Sequence, residues 1–213
     1  VWNSARNAPV ITYEANHQIW FASRRIDEWT RIPLSMADAT ALAPDIGCNQ
    51  NNAMYVVWIE EGDEFQLKCV FFNGDAWESS TIEAELGESG SGAAPRVAVD
   101  VERTGHIIFR GMVDGVYAAQ YATNDSAGGE TWTVTTLETP YTESYPGDIA
   151  VSADGHVHCV SFGADGIGNP RQALYNERDS LGVWSFGVSV SEEIYAGQPR
   201  VALNSDFSPY CVW

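Results

Sequence analysis

The chain has 213 residues, 45% of them hydrophobic, with 29 acidic residues against 11 basic ones and a formal charge of −18. That length allows one large domain with a real core, and no apolar run approaches the roughly 20 residues of a membrane-spanning helix. The acid excess argues against a nucleic-acid partner, because phosphate binding needs a basic face.

In chain order, three short runs rich in β-branched and aromatic residues come first, at 10–13, 19–22 and 29–33. Four more follow Pro44, at 46–48, 55–58, 65–72 and 77–82. Another four follow Pro95, at 96–100, 106–109, 116–121 and 132–137, and four follow Pro146, at 149–151, 156–160, 173–175 and 184–190. The chain ends on two, at 199–202 and 210–213, and Trp2-Asn3-Ser4 aligns with Leu203-Asn204-Ser205 as the remnant of an opening first strand. Gly, Asp and Asn bound these runs, and no stretch shows a sustained helical period.

Two markers repeat in step. Pro44, Pro95, Pro146 and Pro199 are 51, 51 and 53 residues apart, and Trp29, Trp77, Trp132 and Trp184 are 48, 55 and 52 apart. A four-strand period with a fixed Trp at the start of each fourth strand is the pattern of a β-propeller blade; a β-sandwich would give short strands without that period. The predicted fold is therefore all-β: one propeller domain over 1–213, with blades at about 1–40, 43–90, 94–142 and 145–194 and a partial blade at 197–213. The ring is either five-bladed or a fragment of a larger one. Its open terminal strands could also pair with a second copy, which makes homo-oligomerisation an expectation.

At the turn before each fourth strand the chain resembles a worn Asp-box, S/T-x-D-x-G-x-T/x-W, the hairpin motif of sialidase-like (BNR) propellers. The fullest instance is Asp125-Ser126-Ala127-Gly128-Gly129-Glu130-Thr131-Trp132, with Ala127 at the Asp position. Gly182-Val183-Trp184 keeps the ending, while Asn73-Gly74-Asp75-Ala76-Trp77 and Ile26-Asp27-Glu28-Trp29 keep little beyond the Trp. The resemblance implies that the box pins each outer hairpin and that its Trp packs between blades. Catalysis in that family needs three arginines, a Tyr/Glu nucleophile pair and an acid Asp. Arg31-Ile32-Pro33 matches the family's Arg-Ile-Pro but falls in an outer strand, so no catalytic residue is assigned.

First strands of a propeller line its centre, and the residue before each repeated apolar pair is Asp45, Arg96, Asp148 and Arg200 in turn. These four are the candidate ligand-binding residues. Two readings stand: neighbouring Asp and Arg neutralise one another across blades, or Arg96 and Arg200 clamp a carboxylate or sulfate on a sugar while Asp45 or Asp148 accepts hydroxyls or acts as acid/base. Tyr13, Trp58 and Trp213 share a position at the ends of second strands and are candidate rim aromatics. His106 and His156 each follow a turn glycine and are read as turn-packing residues.

No cofactor or metal is expected. Cys48, Cys69, Cys159 and Cys211 lie in strands without C-x-x-C spacing, which suits free core thiols; a disulfide between neighbouring blades is the alternative. The acidity and the single lysine, Lys68, fit a well-solvated surface or a high-salt habitat, whereas divalent-cation binding lacks a D-x-D-x-D-G loop. An extracellular or cell-surface location is the expectation. The expected function is a non-catalytic binding or scaffold module presenting a rim to glycans or a protein. The alternatives are a sialidase-like glycoside hydrolase and a structural subunit that completes its ring with another chain.

Overall fold

The computed structural model describes residues 1–87, 94–124, 131–166, 171–192 and 197–213. Blade one comprises β1 (Trp2–Asn3), β2 (Ala8–Ala15), β3 (Gln18–Arg25) and β4 (Glu28–Pro33). Blade two comprises β5 (Thr40–Cys48), β6 (Met54–Glu61), β7 (Phe65–Phe72) and β8 (Trp77–Ile82). Blade three comprises β9 (Arg96–Val99), β10 (Gly105–Val113), β11 (Val116–Asn124) and β12 (Trp132–Thr136). Blade four comprises β13 (Glu143–Val151), β14 (Val157–Ala164), β15 (Gln172–Arg178) and β16 (Val188–Ser189), and a half blade comprises β17 (Arg200–Leu203) and β18 (Pro209–Val212). Each sheet is an antiparallel meander in chain order. The chain is thus a β-propeller of four blades and a half. Among the described residues no helix is long and apolar enough to cross a membrane.

The first strands converge: β5 packs on β9, β9 on β13 and β13 on β17. Successive side chains of a strand face opposite sides of its sheet, so the second strand β6 serves two cores. Met54, Val56 and Trp58 face blade one and pack with Val10, Ile19 and Phe21. Tyr55, Val57 and Ile59 face blade three and pack with Val97, Ile107 and Phe109.

The repeated tryptophans join the blades. Trp77 of blade two stands edge-on to Phe21 of blade one at 5.1 Å, and Trp132 of blade three edge-on to Tyr55 of blade two at 6.2 Å. Trp184 of blade four does the same on Tyr121 of blade three at 4.9 Å. The Trp132 indole N–H also donates to the Ser80 hydroxyl at 3.0 Å. Trp29, at the same position of blade one, is exposed. Residues 125–130 of the fullest Asp-box lie outside the described residues. The two neighbouring turns are held by a different device: Asn73 Oδ1 accepts from the backbone N–H of Asp75 and Ala76, and Asp179 Oδ1 from those of Leu181 and Val183.

A second repeated device closes the turn between first and second strands. Asn49, Asp100, Ser152 and Asn204 each accept, through the side chain, the N–H four residues on: Ala53, Thr104, His156 and Ser208. The third residue after each is left-handed, at Asn52, Arg103, Gly155 and Phe207. The side-chain oxygen stands in for the missing strand partner and holds the strained residue in place.

Candidate functional site

Asp45, Arg96, Asp148 and Arg200 occupy one register position, opposite Val57, Ile108, Val160 and Val212. The two aspartates follow irregularities in pairing, between Leu42 and Asp45 and between Pro146 and Asp148. Such bulges bend a strand and re-aim its side chains, and both carboxylates reach the next blade. Asp45 Oδ2 accepts the Val97 N–H at 2.9 Å, and Asp148 Oδ2 the Val201 N–H at 3.2 Å. Arg200 Nη1 lies 3.9 Å from Asp148 Oδ1.

Burial raises the Asp45 carboxyl above its ordinary range, outweighing the Val97 N–H and the Arg96 charge, which lower it. The folded chain therefore holds this proton more tightly than the unfolded chain. Stability from Asp45 is fully present below the unfolded carboxylate range and is lost as pH rises through the folded value. Asp45→Asn keeps an oxygen for the Val97 N–H without a charge. It should be more stable than the parent near pH 7 and lose that advantage near pH 3, in urea unfolding at both conditions. An advantage unchanged in acid would trace the effect to something other than ionisation.

First strands begin, second strands end and third strands begin at the same edge of a blade. At that edge, where blades three and four meet the half blade, lies a cleft of about 360 Å³ lined by Arg96, Arg110, Arg171 and Arg200, with Tyr145, Phe162, Gly147 and Gln198. Arg110 is only 5% exposed and lies over the Tyr117 ring at 4.2 Å. Arg171 lies over Phe162 at 5.2 Å and Tyr145 at 5.6 Å, and those two rings stack with centroids 5.1 Å apart. A guanidinium held by its face against an aromatic ring keeps its in-plane N–H donors at the edge, ready for a planar anion. Arg96 and Arg200 of the predicted set thus meet in the cleft, joined by two arginines that do not follow the repeat. Asp45 and Asp148 are not part of its lining.

Among the predicted rim aromatics, Tyr13 is half-buried and Trp213 exposed. Trp58 is 4% exposed within the core between blades one and two, and so offers no stacking surface. The histidine pairing shifts by two residues. His158, not His156, takes the register of His106: each lies opposite the alanine of the repeat, Ala150 or Ala98. Each also meets a tyrosine through Nδ1 at 2.7 Å, Tyr175 or Tyr121. His106 Nε2 reaches Asp100 at 3.2 Å. In blade four Ser152 stands where Asp100 does, and the buried His158 Nε2 has no hydrogen-bond partner among the described residues. All four cysteines are free; Cys69 and Cys159 are fully buried, and burial pushes both thiols well above their usual range.

A larger groove, of about 600 Å³, lies on blade two between Glu61, Asp63, Glu64 and Glu85, with Phe65 and Leu86 lining it. The charged side chains that line it are all carboxylates. Among the described residues, no three or more His, Cys, Asp or Glu side chains come together as metal ligands.

No protein-family model matches the sequence, and no curated protein matches it either. Solved structures do resemble the fold. A protein of unknown function from Dyadobacter fermentans is 11% identical with a TM-score of 0.59, over 91% of this chain and 63% of that one. The endosialidase of phage phi92 is 14% identical with a TM-score of 0.53, over 87% of this chain and 33% of its own. An endo-1,4-β-xylanase from Bacteroides thetaiotaomicron is 12% identical with a TM-score of 0.51, over 88% and 76%. At these identities the likeness is one of fold, and the chain spans less than two thirds of the first two proteins.

Proposed function

We propose that the chain is a non-catalytic, carbohydrate-binding propeller that grips an acidic sugar, bearing carboxylate or sulfate, in the arginine cleft. One observation carries this reading: in a chain of formal charge −18, four of the ten arginines line a single cleft. Such a surface repels anions over most of its area, so clustered guanidiniums act by close contact rather than by long-range attraction. The arginine fork matches the geometry of a carboxylate or sulfate, and charge-assisted hydrogen bonds of this kind are the strong ones. The half-buried Tyr145 and Phe162 rings add an apolar wall for the carbon skeleton of a sugar. Sugar rather than a bare anion is favoured by the shared fold, since two similar structures are named for action on polysaccharides. Binding rather than hydrolysis is favoured because Asp45 and Asp148 are engaged by the next blade's backbone.

Calorimetry against matched neutral, carboxylated and sulfated oligosaccharides tests the proposal. An acidic member should bind and its neutral counterpart should not. Arg171→Ala, at the exposed edge of the cleft, should weaken binding about tenfold or more, the loss of one charge-assisted contact. Equal binding of neutral and acidic sugars, or no binding of any acidic one, would contradict it. Turnover of 4-methylumbelliferyl glycosides that disappears in Asp148→Asn would replace binding with hydrolysis.

A further inference from the structure

Three more of the ten arginines line a second cavity. It has a volume of about 590 Å³, lies on blade one and is walled by Arg6, Asn7, Ser23, Arg24, Arg25 and Ile26. There β1 ends, β2 begins and β3 ends, so the cavity opens on the edge of the propeller opposite the arginine cleft. Seven of the ten arginines thus line two cavities, in a chain where acidic residues outnumber basic ones by 29 to 11. The carboxylates nearby do not neutralise this cluster. Arg24 Nη2 lies 3.9 Å from Asp27 Oδ1. Glu28 stands opposite Arg25 in register, yet among the described residues neither Arg25 nor Arg6 forms an ion pair.

The two turns that wall the cavity are unusual. In the other sheets the residue that opens the turn between first and second strands pairs with the carbonyl four residues on: Asn49 with Ala53, Asp100 with Thr104, Ser152 with His156 and Asn204 with Ser208. In blade one Asn3 pairs with Ala8, five residues on, and the longer turn carries Arg6. The Arg6 guanidinium lies over the Phe72 ring at 4.7 Å, and its Nε donates to Asn52 Oδ1 at 2.8 Å. Held by its face like Arg110 and Arg171, it keeps its terminal N–H donors at the edge. The facing turn has Ile26-Asp27 between Arg25 and Glu28, with Ile26 left-handed at φ 58°. A β-branched residue is unfavourable there, where Gly or Asn usually serves. Strain of this kind is kept where the course of the backbone matters, and here it turns the chain directly after Arg24 and Arg25.

We propose that this cavity is a second oxyanion site, taking a sulfate, carboxylate or phosphate group between Arg6 and Arg25, with Arg24 shared between the anion and Asp27. Guanidinium forks match such groups, and their charge-assisted hydrogen bonds are the strong ones. Because the two sites open on opposite edges, one chain can hold two acidic groups on separate molecules. The assignment of the anion to a sugar rests on the reading of the arginine cleft; the site itself rests on its own residues.

Calorimetry with a sulfated disaccharide and with inorganic sulfate tests the proposal, and circular dichroism checks that each variant keeps the parent's β signal. Arg25 is exposed, so Arg25→Gln removes a charge without opening the core. It should weaken by about tenfold or more one class of binding that Arg171→Ala leaves intact. Asp27→Asn removes the carboxylate that shares Arg24 and should tighten the same class severalfold, a gain that a merely structural role would not produce. Binding of the disaccharide well above that of inorganic sulfate assigns the site to an acidic sugar; comparable binding assigns it to the free anion. Binding that survives Arg171→Ala and disappears in Arg25→Gln would overturn the arginine cleft and leave this site standing. Parental affinity and stoichiometry in Arg25→Gln, loss of all binding in Arg171→Ala, or weaker binding in Asp27→Asn would each overturn the second site.

Discussion

Replacing Tyr55 with alanine is expected to cost about 3–5 kcal/mol of folding stability, the range for removing a large buried aromatic. Tyr55 is fully buried where blades two and three join. Its ring packs against Phe71 at 4.7 Å and receives Trp132 edge-on at 6.2 Å. Its hydroxyl donates to the Arg103 carbonyl at 3.1 Å and accepts from Asn124 Nδ2 at 2.8 Å. Thus one side chain ties a second strand to the next blade's turn, its third strand and its tryptophan. Tyr55→Phe keeps the ring and abandons the two polar groups, so it should cost roughly 1–3 kcal/mol. Urea unfolding of both variants separates packing from hydrogen bonding. A loss below about 1 kcal/mol for the alanine variant would show that the blades are not joined through this residue.

The second large effect is expected at Gly147, where stability and binding meet. A Cβ there would lie 2.6 Å from Pro199 Cγ, 2.7 Å from the Pro199 carbonyl oxygen and 2.9 Å from that of Val160. Two of these are backbone atoms, so relief requires parting the half blade from blade four or breaking the β13–β14 pairing. Overpacking of this kind costs about 1–3 kcal/mol. Because Gly147, Gln198 and Arg200 share the cleft, Gly147→Ala should also withdraw Arg200 and weaken anion binding. Gly197→Ala is the control, since no described residue lies within 4 Å of a Cβ at that site. Unfolding and calorimetry on both variants should show losses for the first and near-parental values for the second. Unchanged stability in Gly147→Ala would mean that the half blade is not held against blade four.

Much of the fold was legible because the signals that repeat are the ones that build the inter-blade contacts. Trp77 and Trp132 open fourth strands that dock on the preceding blade, Trp184 docks there from just ahead of β16, and the Pro-x-apolar phrase marks first strands that converge. The alternation of Asp and Arg was readable for the same reason, and the structure gives it a cause. Asp45 and Asp148 follow bulges and hold the backbone of the next blade, where Arg96 and Arg200 stand.

Other features were hidden by glycine. Gly105 and Gly155 suggest one alignment of the histidines, yet they do different work. Gly155 holds the left-handed turn position that Arg103 holds in blade three. Gly105 lies in β10, where a Cβ would come within 2.9 Å of the Tyr55 ring. The true equivalence, His106 with His158, follows from the side-chain acceptors Asp100 and Ser152, whose spacing to the histidine is the same in both blades. Half of the arginine cleft was hidden too. Arg110 shares its register with Ile59 and Phe162, so no repeat marks it; its one sequence signal is a charge inside the apolar run Gly105–Val113. Arg171 stands just before β15 and carries no such signal.

The arginine cleft is tested most directly by a crystal structure of the chain soaked with the tightest-binding acidic oligosaccharide from the calorimetric panel. The expected result is the carboxylate or sulfate within about 3 Å of guanidinium nitrogens of Arg96 or Arg171, with the sugar ring against Tyr145 and Phe162. Density for the ligand elsewhere on the molecule, with the cleft between blades three and four and the half blade empty, would contradict it.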